Sequence, residues 1–138
     1  MAGTSVWANE RAPTLADIET LAAAAWQRLP AEFRQLCGDL VIRVEDFATD
    51  EVLGELELES PFDLMGLYQG VSLDKKSVSD LPREPDMVFL YRRAILDFWA
   101  EEDETLANLV THVLVHEIGH HFGFSDEDME DIEAEAMT

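Results

Sequence analysis

The sequence predicts one α+β domain, a small mixed β-sheet packed on an N-terminal helix and on a second, buried helix near the C-terminus. Three observations predict it. Leu15, Ile18, Leu21, Ala22, Ala25, Trp26 and Leu29 recur at helical spacing. Residues 40–44 and 87–91 are short runs rich in β-branched and aromatic side chains, which read as strands. In residues 109–122 apolar side chains occur all round a helix, the pattern of a buried one. At 138 residues the chain is long enough for one domain, 1–138, with a core of its own. With 47% of its residues apolar, it can order most of its length.

Residues 1–12 read as a flexible tail. Thr14 with Asp17 three residues on makes a capping-box start for the first helix, and Pro30 stops it. Trp26 reads as core packing rather than cleft lining. Residues 31–36 form one further short helical turn, and Gly38-Asp39 turns the chain into the strand at 40–44. Residues 52–58, flanked and interrupted by acids, read either as a short exposed helix or as irregular structure, and Pro61 breaks them. Residues 64–68 read as a strand with Gly66 inside, a position that suits close backbone approach. This strand is the candidate edge for pairing with an extended peptide. Residues 70–86 are a long polar connection, either a plain surface loop or a flap over a cleft.

Residues 87–91 read as the central strand and 92–99 as a short helix, because Ile95, Leu96 and Trp99 share helical spacing. Glu101, Glu102, Asp103 and Glu104 then open the buried helix with acids, where the helix dipole favours them. Gly123 ends that helix. Ser125 with Asp128 three on caps a final acidic helix over 126–136.

Thirty acidic against nine basic residues give a formal charge of -21. Such a chain repels phosphate backbones and anionic lipid, so neither nucleic acid nor a membrane is an expected partner. Basic peptides or basic protein surfaces suit the charge better, and solubility by itself accounts for much of it. The single cysteine, Cys37, excludes an internal disulfide. The first residues lack a basic region followed by an apolar run, and no apolar run approaches the ~20 residues of a membrane span. Together these features point to the cytoplasm.

Chemistry concentrates in His116-Glu117-Ile118-Gly119-His120, an H-E-x-x-H motif. Residues four apart share one helix face, so His116 and His120 can aim both imidazoles at one zinc ion. Glu117 lies about 100° round the helix. There it can stand beside the metal without ligating it and act as general base toward metal-activated water. Nearly all the helix's polar groups, His112, His116, Glu117, His120 and His121, fall on one arc. A buried helix tolerates them only with partners, which a metal and a wet cleft would supply. After the Gly123 turn the chain can bring Asp126 back toward the same point. Asp126 can equally serve as a first-turn acid of the last helix. A second donor for a developing oxyanion could come from Tyr68, Tyr91, His112 or His121. Of these, His121 points elsewhere and reads as exposed.

The string His116-x-x-x-His120-x-x-Gly123-x-x-Asp126 resembles the extended zincin pattern in which a glycine turn delivers a third ligand. Metzincins place histidine there; this chain has aspartate, as snapalysin-type peptidases do. The wider run HEIGHHFGFSDEDM, with Leu67-Tyr68-Gln69-Gly70 and Leu90-Tyr91-Arg92-Arg93, resembles a family of small bacterial minimal zincin-like metallopeptidases from about Asp39 onward. The resemblance implies a compact α+β domain and one Zn2+ per chain on His116, His120 and Asp126. It also implies hydrolysis of peptide bonds in peptides or unfolded proteins, with Glu117 as general base. Only Met129 and Met137 follow Asp126, so the methionine turn of metzincins has no counterpart at its usual distance. Two other readings stand beside this one. A non-catalytic zinc-binding or partner-binding module on a degenerate zincin fold is favoured by small size. A non-peptidase hydrolase could use the same site. The intact Glu117 favours catalysis, because metal binding does not require it.

Overall fold

The computed structural model of the chain describes residues 6–70 and 85–137. Among them, six α-helices pack round a three-stranded sheet of order β1-β3-β2. Helix α1 (Leu15–Arg28) opens on a complete capping box. The Thr14 hydroxyl oxygen accepts from the Asp17 amide at 3.1 Å, and the Asp17 carboxylate accepts from the Thr14 amide at 2.8 Å. Its buried residues Ile18, Ala22 and Ala25 fall on one face. Helix α2 (Ala31–Cys37) leads through Gly38 into strand β1 (Val41–Glu45).

The ambiguous acidic segment is helical. Helix α3 (Asp50–Glu55) starts where the Thr49 hydroxyl accepts from the Val52 amide, and it buries only Leu53. Pro61–Asp63 form one 3-10 turn before strand β2 (Gly66–Gln69). The strand therefore starts two residues later than expected, at Gly66. Of the long connection, read as either a surface loop or a flap, 71–84 lie outside the described residues.

Strand β3 (Met87–Tyr91) is central, as its apolar run predicts. It pairs parallel with β1, Val41 opposite Met87, and antiparallel with β2, Gly66 opposite Leu90. Helices α4 (Arg92–Glu101), α5 (Leu106–Phe122) and α6 (Asp126–Met137) follow. The acidic run does not form the first turn of α5. Thr105 is the cap, with its hydroxyl accepting from the Asn108 amide at 3.1 Å. Of the four acids, Glu104 assists from outside by accepting from the Thr105 amide and the Asn108 side chain. A cap requires non-helical backbone and a short oxygen-bearing side chain, which Thr105 supplies. In the expected tail, Val6–Asn9 make one exposed 3-10 turn. The Pro13 carbonyl accepts from the Arg92 guanidinium and ties the segment before α1 to the start of α4.

Helix α5 is the axis of the core. Leu114, Val115 and Ile118 join Ala25, Phe33, Val88 and Met129 in one apolar cluster. Leu109, Val110 and Val113 join Ile18, Ala22, Val44, Leu90 and Ile95 in another. Leu114 and Ile118 are fully buried, so truncating either to alanine would cost ~2–5 kcal/mol. That burial holds the polar arc of α5 at a fixed height beside β2. No helix among the described residues is long and apolar enough to cross a membrane.

Candidate metal centre

Helix α5 delivers its histidines as a stripe. His112, His116 and His120 are successive turns of one face, with ring centroids 4.0 Å apart for the first pair and 5.4 Å for the second. Gly123 ends the helix in the left-handed region at φ 78°, where glycine carries no Cβ penalty. The Phe124 amide bonds to the Gly119 carbonyl at 2.9 Å and the Gly123 amide to that of His120 at 3.2 Å. This pair of bonds forms a Schellman turn. The turn reverses the chain so that α6 packs back along α5.

A cleft of about 250 Å³ lies between the start of β2 and this stripe, with Met65 and Gly66 on one wall and His112, His116, Glu117 and His120 on the other. Gly66 is what lets the walls approach. A Cβ there would sit 2.9 Å from both Glu117 Cγ and Val113 Cγ1, and 3.1 Å from the Phe89 carbonyl oxygen. The close approach expected of this glycine is thus a contact with the general-base candidate. Burial pushes the Glu117 carboxyl up from 4.5 to about 7. A base with that affinity for a proton is matched to work near neutral pH.

His116 is shifted the other way. Burial, then the neighbouring His112, lowers its affinity for a proton, and Glu133 and Asp126 oppose that shift. Neutral imidazole is the form that ligates metal. His120 is exposed at the cleft mouth. The structure therefore brings His116, Glu117 and His120 to one cleft. Asp126 is the first residue of α6, exposed, with the Ser125 hydroxyl capping that helix through the Asp128 amide. Its charge reaches His116.

One acid in this cluster escaped the sequence reading. Glu133 of α6 is only 9% exposed. Its Oε1 lies 2.5 Å from His112 Nδ1, and its Oε2 lies 3.7 Å from His116 Nε2. Oε1 is buried without an aligned hydrogen-bond donor, despite the short His112 contact. A faint signal was present. Met129, Ile132 and Ala136 mark the apolar arc of α6, and Glu133 falls on that arc, where an unpaired acid is costly. The donors at this centre are imidazole nitrogens and carboxylate oxygens, the chemistry that zinc prefers. With a buried carboxylate facing two imidazole nitrogens, the residues fit such an ion.

The four oxyanion candidates separate. The Tyr68 hydroxyl donates to the Asp86 carboxylate at 2.6 Å, and the ring stacks on His121 at 4.0 Å. Burial and that acceptor push the phenol far above its ordinary range. His121 is exposed, as expected, and occupies the space that a side chain at Gly70 would need. Tyr91 is buried, its hydroxyl pushed up to about 12 by burial, then by the charges of Glu45 and Glu117. His112 is the one that lines the cleft.

A buried H-E-x-x-H helix laid beside the edge of a small mixed sheet, with a glycine turn returning the chain, defines a zincin-type domain. Residues 37–136 match the family described as zincin-like metallopeptidase. The chain belongs to that family, and its α+β architecture is the minimal zincin-like one expected from the sequence. No curated protein matches the chain.

Proposed function

We propose that the protein is a zinc-dependent peptidase that hydrolyses peptide bonds in peptides or unfolded proteins. The observation that carries this reading is Glu117, held in the cleft wall between His116 and His120 with its carboxyl pushed up to about 7. His116, His120 and Asp126 would hold the ion. In support, His116 and His120 line one cleft, and the charge of Asp126 acts on His116. When bound, zinc would supply Lewis acidity, making water a better nucleophile and polarising a substrate carbonyl. Glu117 accepts the proton of the attacking water and returns it to the leaving amine. Gly66 keeps the space that the Glu117 side chain needs.

The substrate fits along β2. This strand is one of the two sheet edges among the described residues, and its first residue, Gly66, lines the same cleft as Glu117. An extended peptide could add to that edge through main-chain hydrogen bonds, which read no side chains. The acidity of the chain favours basic peptides.

The cleft volume of about 250 Å³ falls below the ~300–1,000 Å³ usual for small-molecule sites and favours a second reading, a zinc-binding or partner-binding module without catalysis. Cleavage of an unstructured protein by zinc-loaded wild type and by Glu117→Gln separates the two. The peptidase reading expects cleavage that a chelator stops and that Glu117→Gln abolishes while retaining zinc. Cleavage by Glu117→Gln at the wild-type rate would sink the mechanism, and absence of cleavage by zinc-loaded wild type would favour the binding module.

A further inference from the structure

The histidine stripe of α5 has two ends, and the His116–His120–Asp126 set lies at one of them. At the other end stand His112, His116 and Glu133, whose ligand atoms all lie within 4.8 Å of one another. Zinc bonds of ~2.0–2.2 Å place tetrahedral ligand atoms roughly 3.4 Å apart, so small side-chain rotations close this set on one ion. Asp126 and Glu133 are seven residues apart on α6, or about two turns. With α6 folded back along α5, Glu133 meets the His112 end.

A second, independent observation points to a ligand. Glu133 is nine-tenths buried, and its Oε1 has no aligned hydrogen-bond donor. Its nearest polar neighbours are the two imidazoles, His112 Nδ1 at 2.5 Å and His116 Nε2 at 3.7 Å, and a cation among the three would satisfy this buried carboxylate. Access is also provided. A cavity of about 430 Å³ borders His112 and Glu133, and Glu102, Glu104 and Glu130 also line it. Such an acidic mouth concentrates cations.

The geometry points to a second metal position, formed by His112, His116 and Glu133, that takes a zinc-like divalent cation and competes with the His116–His120–Asp126 position for His116. Both positions draw on His116, so a chain holds one ion at a time, at one end of the stripe or the other. An ion at the His112 end leaves His120 and Asp126 without His116. Through that exclusion the second position would act as a holding site, and filling it would withdraw the ion from Glu117. The inference shares His116 with the peptidase reading but does not require that reading to be right.

The test is zinc content and zinc affinity, measured by equilibrium dialysis on untagged protein, with circular dichroism to confirm folding. His120→Ala/Asp126→Asn removes the ligands private to the first position. His112→Ala/Glu133→Gln removes those private to the second. The expected result is that His120→Ala/Asp126→Asn still holds one zinc per chain and that adding His112→Ala/Glu133→Gln to it abolishes binding. A folded His120→Ala/Asp126→Asn protein without zinc, beside a His112→Ala/Glu133→Gln protein that keeps it, would overturn the second position and leave the peptidase ligand set standing. Loss of zinc from His112→Ala/Glu133→Gln alone would support the second position and remove the first. If wild type takes up no zinc, both fall. Should Glu133→Gln disturb folding, His112→Ala in the His120→Ala/Asp126→Asn background serves alone, since His112 is half-exposed. Unchanged zinc binding there would overturn the proposal.

Discussion

Glu117 is the residue whose removal should strengthen the fold while ending the chemistry. In metal-free protein its carboxyl sits between Gly66 and the histidine stripe, and burial raises its pKa from 4.5 to about 7. At ~1.4 kcal/mol per pH unit, ionising it inside the fold costs roughly 3 kcal/mol. Water in the open cleft screens part of this, so ~1–3 kcal/mol is the usable figure. The folded state holds this proton more tightly than the unfolded chain does. Below about 4.5 the side chain is neutral in both states, and the penalty is absent. As pH rises through about 7 the penalty develops in full. Glutamine has the same shape and never ionises. Glu117→Gln should therefore match wild type at about pH 4.5 and exceed it by ~1–3 kcal/mol at about pH 8. In a chain of this size that is a rise in Tm of roughly 3–10 °C. Urea unfolding of chelator-treated protein at both pH values measures it. An equal effect at the two pH values, or none at the higher one, would refute the claim that burial sets the proton affinity of Glu117.

Three further outcomes follow from the packing. Gly66→Ala would drive a Cβ to 2.9 Å from Glu117 Cγ and Val113 Cγ1, so it should cost ~1–3 kcal/mol in thermal unfolding and displace the general base. A full-stability Gly66→Ala protein would contradict the close approach. Gly119→Ala should gain ~1 kcal/mol in helix propensity yet lose more, because the new Cβ overlaps the buried Met129 sulfur. A double-mutant cycle with Met129→Ala should show a coupling of at least ~0.5 kcal/mol, and additivity would deny the contact. Tyr68→Phe should lose ~1–3 kcal/mol with its bond to Asp86 and leave zinc affinity unchanged; a fall in zinc affinity would place that hydroxyl at the metal centre after all.

Much of the site was legible because it is written in local spacing. His116 and His120 must share a helix face wherever the helix goes, and Glu117 must stand beside them. Gly123 could be read as the stop because glycine enters the left-handed region, φ 78° here, without a Cβ penalty. The same holds for the Thr14–Asp17 capping box and for the central place of β3. What misled the reading was composition without capping geometry. Four consecutive acids suggested the first turn of α5, whereas the cap oxygen belongs to Thr105. The acids of 52–58 obscured a helix that Thr49 starts.

The sequence by itself therefore determined the α+β class, the buried helix, the H-E-x-x-H face and the turn after it, since all of these depend on residues within a few positions of one another. The tertiary structure decided what meets that face. Gly66 lies fifty-one residues before Glu117 and yet makes room for it. The Tyr68 hydroxyl turned out to donate to Asp86, while its ring stacks on His121. Glu133 looked like one more acid in an acidic helix until α6 folded along α5 and buried it against His112 and His116. Periodicity places a residue on a face, but only packing chooses the partner across from it and sets how much water remains, and the proton affinity of Glu117 depends on that water.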